Sequence, residues 1–195
     1  MNEIKSRYGY IFRLIEELKP KSIIEIGVAK GKTAKLMLDT APKDTTYTGY
    51  DVFDFSDQEF HKMVGNGKRV HSVSQVKQRL KEHASRVELI KGVTQETLWK
   101  NPKSADLVFI DGDHRVESII GDFKSVSGSK VVVFDDYYIN DIHGGFDRKN
   151  FGCYSIVKDM KNVLITEPCG KVMDVCLAIW TEDDDTFSKI QDILK

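Results

Sequence analysis

The stretch Val108-Phe-Ile-Asp-Gly-Asp-His114 decides how this chain can be arranged. Its apolar start is typical of a buried β-strand, and the Asp-Gly-Asp-His that follows marks where the backbone leaves the sheet. A second apolar run, Val131-Val-Val-Phe134, is stopped in the same way by Asp135 and Asp136. Because neighbouring strands lie about 4.8 Å apart, two parallel strands of this kind would bring their acidic ends together. Ligands of open α/β sheets bind at that edge, so we expect the functional site there.

The rest of the chain alternates predicted strands with predicted helices. Strands are predicted at residues 22–26, 46–51, 87–90, 106–111, 130–135, 162–167 and 172–180. Helices are predicted at 3–18, 32–40, 73–84, 94–99, 116–126 and 154–160, and after Thr181 at the end, with Thr94 and Thr181 as N-caps. Such alternation implies an α/β fold with parallel strands, right-handed crossovers and helices on both faces. The last two strands should pair as a hairpin through a turn at 169–170, which makes one strand antiparallel.

Length, composition and charge limit the class of protein. The 195 residues fit one domain, 1–195, that begins with a helix within residues 1–20. A net charge of −1 predicts no nucleic-acid partner and no anionic membrane partner. No apolar run approaches the roughly 20 residues of a membrane span, and the N-terminus lacks a signal-peptide core, so we expect a cytoplasmic protein. The oligomeric state is not fixed by the sequence, and a homodimer is one option.

Two long segments without a clear periodic pattern are expected to shape the binding site. They are residues 53–72, rich in Asp, His and Gly, and residues 137–151, a polar segment that contains glycine. Long loops in compact domains are often lids or binding loops. The partner expected at these loops is a small-molecule substrate.

The segment Glu25-Ile-Gly27-Val-Ala-Lys-Gly31 is predicted to form a tight turn between the first strand and its helix. Glycines there let the backbone approach a ligand, and the helix N-terminus offers unpaired N–H groups. A P-loop requires one more residue than separates Gly27 from Gly31. A dinucleotide site requires a middle glycine where this chain has Ala29. Both motifs are therefore incomplete, and the pattern favours a turn that binds S-adenosylmethionine, which carries no pyrophosphate. An unoccupied strand–helix turn is the structural alternative.

An acidic residue, Asp51, ends the second predicted strand, where a carboxylate can accept hydrogen bonds from both ribose hydroxyls. This position suits NAD and S-adenosylmethionine alike, but not a P-loop. Its structural alternative is a plain helix or turn cap. An NAD-dependent oxidoreductase therefore stays open as a second function, and an S-adenosylmethionine-binding module without activity is a third.

Five motifs occur in one order along the chain, and together they resemble a known family. They are Glu25–Gly31, Asp51, Gly92-Val-Thr-Gln-Glu96, Phe109-Ile-Asp-Gly-Asp-His114 and Phe134-Asp-Asp-Tyr137. This order is similar to that of class I S-adenosylmethionine-dependent methyltransferases of the macrocin and rhamnosyl O-methyltransferase type, a group that includes cephalosporin-hydroxylase-like proteins. The resemblance spans roughly residues 20–180, and Asp-Gly-Asp-His followed by Asp-Asp-Tyr is its most specific part. It implies a Rossmann-like, doubly wound sheet of seven strands, mostly parallel, with an antiparallel last strand.

The resemblance also implies a cofactor site and a metal site. S-adenosylmethionine would lie over Gly27, with Asp51 at its ribose and the segment after the third strand near its adenine. The cofactor-binding residues expected on this basis are Glu25, Gly27, Val28, Gly31, Asp51, Gly92, Val93, Thr94 and Asp111. The metal ligands expected for Mg²⁺, or another divalent cation, are Asp111, Asp135 and Asp136.

The ends of the two acidic strands, with Asp111, Asp135 and Asp136, are called the carboxylate edge below. The resemblance implies methyl transfer, and an alcohol that receives the methyl group must lose its proton or have its pKa lowered before it attacks. A divalent cation with oxygen ligands could do the second. The resemblance offers Asp113 and His114 as the base, and His114 has the better unperturbed pKa, near 6.5. The structural alternative is that these acids only cap turns. The expected function is therefore metal-dependent O-methylation of a small hydroxylated substrate, such as a sugar or a glycosylated metabolite.

Overall fold

The computed structural model describes residues 6–54, 71–168 and 174–195. Its helices and strands follow one another in chain order. They are α1 (Tyr8–Leu18), β1 (Ser22–Ile26), α2 (Lys32–Thr40), β2 (Thr46–Asp51), α3 (Val73–Arg79), a 3₁₀ helix (Lys81–Arg86), β3 (Val87–Lys91), β4 (Leu107–Ile110), α4 (Val116–Val126), β5 (Val131–Tyr138), β6 (Ile142–His143), β7 (Phe146–Asp147), α5 (Tyr154–Val157), β8 (Val163–Ile165), β9 (Val175–Trp180) and α6 (Asp184–Leu194).

Seven strands form one sheet in the order β3-β2-β1-β4-β5-β9-β8. The pairs among β1 to β5 are parallel, whereas β9 runs antiparallel to both β5 and β8. This is the predicted doubly wound, mostly parallel sheet with a closing hairpin, and the prediction is confirmed. The strand order reverses direction at β1 and β4, and in open α/β sheets ligands bind at such a reversal.

Helices cover both faces of the sheet because its central strands are apolar on both sides. All four residues of β4 are buried, and so are Ile23 to Ile26 in β1. One core cluster packs this sheet against α1 and α2, and a second packs the opposite face against α4. Near-continuous apolar runs of this kind are expected for strands that are buried on both faces. The two cores fix the strand ends that carry the polar residues.

Strand β5 continues beyond the acidic pair that was expected to end it. β9 pairs with β5 as far as Tyr138, and the register shifts between Phe134 and Tyr137. Asp135 and Asp136 lie within this irregularity, and Asp136 has a left-handed backbone with φ of 56°. A bulge of this kind redirects side chains out of the alternating pattern. The predicted strand end at residue 135 was therefore wrong, because pairing with a distant strand extends β5.

Three local predictions were also wrong or incomplete. Residues 94–99 form hydrogen-bonded turns instead of a helix, with Trp99 N donating to Thr94 O at 2.9 Å. The last helix is capped by Asp183, which accepts a hydrogen bond from Thr186 N at 2.7 Å, while Thr181 is buried before it. The helix predicted at 73–84 ends as α3 at Arg79 and continues as the 3₁₀ helix. Local side-chain preferences do not determine such boundaries.

Parts of three predicted features lie outside the described residues. They are most of the 53–72 segment and the hairpin turn at 169–170, together with the first residues of the N-terminal helix. Among the helices that are described, none has both the length and the apolar composition needed to cross a bilayer.

Candidate active site

The turn after β1 is held tightly against the end of β4. Gly27 has φ of 93°, a conformation that L side chains rarely adopt, and Gly31 has φ of 67°. A Cβ atom added to Gly27 would lie 1.9 Å from the backbone oxygen of Asp111. Gly27 N donates to Tyr50 O at 2.9 Å, and Asp111 N donates to Ile26 O at 2.8 Å. Glycine is therefore required at position 27 for both the turn and its close approach to β4.

Asp51, at the end of β2, is tied to this same turn. Its carboxylate accepts a hydrogen bond from Ala29 N at 2.7 Å, and its other oxygen accepts one from Phe53 N at 3.3 Å. Ala29 itself has a left-handed backbone with φ of 46°. The predicted cofactor residues Gly27 and Asp51 are thus brought together. The contact to Ala29 also fits the alternative in which Asp51 only caps the turn, so its contact with a ribose stays a prediction.

The residues after β3 adjoin Asp51. Gly92 N donates to Asp51 O at 3.0 Å, and the backbone at Gly92 has φ of 138°. Val93 O accepts hydrogen bonds from Glu96 N and Thr97 N, which begins the turns of the following segment. The predicted adenine-side residues therefore lie at the same edge of the sheet as Asp51. Contact between this segment and a cofactor stays a prediction.

Glu25 is buried under the turn, and only 1% of it is exposed. The Tyr47 hydroxyl donates a short hydrogen bond to its carboxylate. Burial raises the pKa of Glu25 to about 8, since the Tyr47 hydrogen bond lowers it only in part and the charge of Asp51 raises it further. Val28 is also buried, with 3% of it exposed. The described contacts of both side chains are within the protein, and their part in cofactor binding stays a prediction.

Asp111 and Asp135 lie side by side, as the parallel pairing of β4 and β5 predicts. Ile110 is paired with Phe134, so the next residue of each strand is an aspartate. The Tyr8 hydroxyl lies 3.0 Å from Asp135 Oδ2 and 3.4 Å from Asp111 Oδ2, which joins the two carboxyl groups. Burial raises the pKa of Asp111 well above its usual range, and the negative charges of Asp135 and Asp136 raise it further.

Asp135 is also held by an arginine that the sequence analysis did not select. Arg7 Nε donates to Asp135 Oδ1 at 2.7 Å, and Arg7 Nη2 donates to Asp135 Oδ2 at 2.9 Å. Only 1% of the Asp135 side chain is exposed, against 22% of the Arg7 side chain. A two-pronged contact of this kind is among the strongest charged hydrogen bonds in proteins. The positive charge of Arg7 offsets the desolvation free energy of burying the Asp135 carboxylate.

His114 forms a close pair with Asp136. The ring Nδ1 lies 2.6 Å from Asp136 Oδ2, and both side chains are mostly buried. Burial alone would raise the pKa of Asp136, but the hydrogen bond and charge of His114, with Tyr138 and Arg7, hold it below its ordinary value. A neutral imidazole that donates Nδ1–H to a carboxylate presents Nε2 as its proton acceptor. This is the arrangement of an oriented general base.

Asp113, the second candidate base, is engaged elsewhere. Its carboxylate accepts hydrogen bonds from the Arg115 guanidinium and, at 2.7 Å, from Ser118 Oγ. Burial raises its pKa, but the Arg115 and Ser118 hydrogen bonds outweigh that effect and leave the pKa lowered. A carboxylate with a lowered pKa is a weaker base than an imidazole. Asp113 is therefore the less available of the two candidates, and the choice of His114 as the base stays a prediction.

The segment at 137–151 folds back over His114. Gly152 N donates to His114 O at 2.7 Å, and the Phe151 ring lies 5.6 Å from the imidazole between centroids. Phe151 also stacks on Phe146, which is 42% exposed, at 4.3 Å. The predicted loop thus contains the small β6–β7 hairpin and places aromatic rings beside the candidate base. Its role in binding a substrate stays a prediction.

The three predicted metal ligands lie together, but both oxygens of Asp135 and one oxygen of Asp136 already have close partners. Both oxygens of Asp135 accept from Arg7 or Tyr8, and Asp136 Oδ2 contacts His114. Arg7 Nη2 also lies 3.7 Å from Asp136 Oδ1. In the part of the chain that is described, no group of three or more His, Cys, Asp or Glu side chains is arranged to hold a metal ion. The Mg²⁺ expected from the resemblance does not fit this arrangement of donors, because Arg7 and Tyr8 already contact both oxygens of Asp135.

Sequence reasoning missed Arg7, Tyr8 and Tyr47 as site residues. Tyr8 lies on the face of α1 that packs on the core through Ile11 and Ile15. Nothing in the local pattern shows that the start of this helix lies over the ends of β4 and β5. The sequence signal for this contact is that Arg7 and Tyr8 come just before the apolar residues of the helix. Many surface helices share that pattern, so it does not identify a site.

Comparisons with known proteins agree with this geometry. Residues 24–137, more than half of the chain, match the model of a family described as "Methyltransferase domain". No curated protein matches the chain significantly in sequence.

Solved structures share the fold at low sequence identity. An O-methyltransferase from Bacillus cereus in complex with SAH has a TM-score of 0.64 at 15% identity, covering 92% of this chain and 83% of that one. The O-methyltransferase TomG from Streptomyces achromogenes, involved in tomaymycin synthesis and in complex with SAM, has a TM-score of 0.60 at 17% identity, covering 93% and 82%. A methyltransferase from Geobacter sulfurreducens has a TM-score of 0.58 at 13% identity, covering 90% and 78%.

The family match contains both the glycine turn and the carboxylate edge, and the similar structures share the fold of this chain. The chain therefore belongs to the methyltransferase-domain family and is a methyltransferase with the class I fold.

Proposed function

We propose that this protein is an S-adenosylmethionine-dependent O-methyltransferase that acts on a hydroxyl group of a small molecule. The observation that carries the proposal is the His114–Asp136 pair, which lies at the same sheet edge as the Gly27 turn. Two similar structures hold SAM or SAH, and both are described as O-methyltransferases. Methyl transfer to oxygen needs an acceptor for the hydroxyl proton, and an oriented imidazole supplies one.

Each part of the site has a separate role in the proposed reaction. S-adenosylmethionine would supply a methyl group on a positively charged sulfur. His114 Nε2 would accept the proton of the substrate hydroxyl when its oxygen takes the methyl group. Asp136 holds the imidazole ring and stabilises its protonated form. The Gly27 turn, Asp51 and the segment from Gly92 would hold the cofactor at the neighbouring strand ends.

The substrate class expected from the sequence, a sugar or a glycosylated metabolite, is part of the proposal. The loop beside His114 offers exposed apolar side chains next to polar groups: Phe146 is 42% exposed and Ile142 is 60% exposed. The Tyr138 ring stacks on His143 at 4.5 Å between centroids. Exposed apolar surface with polar neighbours is typical of a binding groove. It suits a ring that is apolar on one face and carries hydroxyls at its rim.

Two measurements test the proposed function. Calorimetry should show binding of S-adenosylhomocysteine and no binding of NAD or ATP. Transfer of a labelled methyl group from S-adenosylmethionine should then be measured with a panel of sugars, glycosides and phenols. Binding of NAD without a response to S-adenosylhomocysteine would support the oxidoreductase alternative. Binding of S-adenosylhomocysteine without transfer to any hydroxyl would leave a module without activity.

A further inference from the structure

The Arg7 guanidinium supplies a positive charge at the carboxylate edge. Arg7 contacts both oxygens of Asp135 and lies within 3.7 Å of Asp136, so its positive charge faces two of the three acids. The Tyr8 hydroxyl donates to Asp135 Oδ2, which also accepts from Arg7 Nη2, and it lies 3.4 Å from Asp111 Oδ2. These are the same three carboxylates that the sequence assigns to a divalent cation.

The position of Arg7 is set by the fold. Helix α1 is anchored by Ile11, Leu14 and Ile15, none of which is exposed. Tyr8 lies on the same helix face, and its ring meets Phe109 of β4 edge-on at 5.8 Å between centroids. The Arg7 guanidinium lies 4.9 Å from the centre of the Tyr8 ring, which adds a favourable cation–π contact. Packing of the helix therefore delivers both donors to the carboxylates.

A magnesium ion and Arg7 would compete for the same oxygen atoms. Mg²⁺ needs oxygen ligands at about 2.0–2.1 Å in a nearly octahedral shell. Asp135 Oδ2 already accepts from Arg7 Nη2 and the Tyr8 hydroxyl, and Oδ1 accepts from Arg7 Nε. A cation could take these oxygens only if Arg7 left a carboxylate whose side chain is 99% shielded from solvent.

We propose that Arg7 takes the place of a divalent cation at this edge, as the positioning residue that holds Asp135 and Asp136, so that methyl transfer proceeds without a metal ion. By fixing Asp136 beside His114, it acts on the base through its partner. This inference rests on the proposed function for the role of His114, but the metal response can be measured without any turnover.

The test compares melting temperature and activity in Mg²⁺ or Mn²⁺ with those in a chelator. The wild-type protein should show no difference in either quantity. Arg7→Gln should lose activity and gain a saturable rise in melting temperature with Mg²⁺ or Mn²⁺, because its carboxylates lack a counter-charge and a ligand that binds only the folded state stabilises it. Arg7→Lys should recover part of the activity without a metal response, since an ammonium cannot reproduce the two-pronged contact.

Two further variants keep the result decisive. Arg115→Gln removes a nearby arginine whose partner is Asp113, and it should not create a metal response. The double variant Arg7→Gln, Asp135→Asn removes both members of the pair. It should fold even if Arg7→Gln alone does not, and it should show a weaker metal response than that variant.

The outcomes separate this inference from the proposed function. A wild-type enzyme that transfers methyl groups only with Mg²⁺, or whose melting temperature rises with Mg²⁺ as much as that of Arg7→Gln, would overturn the role of Arg7 and leave O-methylation standing. A wild-type protein that ignores metals but does not bind S-adenosylhomocysteine would reject the proposed function instead.

Discussion

His114 Nδ1 lies 2.6 Å from Asp136 Oδ2, and the backbone of Asp136 is left-handed at a bulge of β5. The two observations are connected, because an aspartate in a regular strand would follow the alternating direction of its neighbours. The bulge turns the carboxylate towards the end of the neighbouring strand. Aspartate tolerates this backbone conformation better than most residues. The pair therefore depends on a local departure from regular β-structure.

Replacing His114 tests the assignment of the base. His114→Gln should lower kcat by about 10²–10⁴-fold, the usual contribution of a positioned base, while leaving the affinity for S-adenosylhomocysteine unchanged. Steady-state kinetics and calorimetry on the same preparation measure both. His83→Gln is a matched control, because His83 also pairs with an aspartate, Asp39, at 2.8 Å, but on another part of the surface. Equal activity of the two variants would contradict the role of His114.

Replacing Gly27 tests the close approach of the turn to β4. Gly27→Ala combines an unfavourable φ of 93° with a Cβ only 1.9 Å from Asp111 O. It should lower the free energy of unfolding by more than the roughly 1–2 kcal/mol of a left-handed residue alone, and it should abolish S-adenosylhomocysteine binding. Gly144→Ala isolates the backbone effect, since Gly144 has φ of 54° and open space around it. Denaturant unfolding should show the smaller loss for Gly144→Ala, and equal losses would argue against the clash.

Replacing Asp51 distinguishes a ribose contact from a turn cap. Asp51→Asn keeps an oxygen that can accept from Ala29 N but loses the charge. It should raise the Kd for S-adenosylhomocysteine roughly 10- to 100-fold, since hydrogen bonds to charged groups contribute about 1.5–3 kcal/mol. Asp54→Asn, an exposed neighbour paired with Lys91, should leave the Kd unchanged. A normal Kd with lowered stability in Asp51→Asn would assign Asp51 to the turn alone.

Glu25 should make stability depend on pH. Its pKa is about 8 in the folded protein against 4.5 for the free side chain, so the folded state binds the proton more tightly. Its contribution to stability is therefore fully present below about pH 4.5 and is lost as the pH rises through 8. The loss should be on the order of a few kcal/mol, because one pKa unit corresponds to about 1.4 kcal/mol.

Glu25→Gln should flatten this dependence and stabilise the protein at pH 8 relative to the wild type. Denaturant unfolding at several pH values without cofactor measures it. Glu82→Gln, whose side chain is 67% exposed, should keep the wild-type slope. An identical slope in Glu25→Gln would show that Glu25 is ionised throughout this range.

The sequence by itself determined the sheet and the convergence of its acidic ends. Apolar runs buried on both faces mark parallel strands, and the polar residue that ends such a run must lie at the ligand edge. Asp111 and Asp135 were therefore predictable neighbours, and so was the turn at Gly27 beside them. The short connection before β9 also predicted the antiparallel pairing. These features can be predicted because each depends on a short stretch of sequence: an apolar run, the polar residue that ends it, or a glycine-containing turn.

Only the tertiary structure decided how the acidic residues are used. Pairing of β5 with β9 placed Asp136 in a bulge, and packing of α1 brought Arg7 onto Asp135 from the other end of the sequence. Contacts of this kind depend on where separate elements meet, and charge compensation of a buried carboxylate is settled only there.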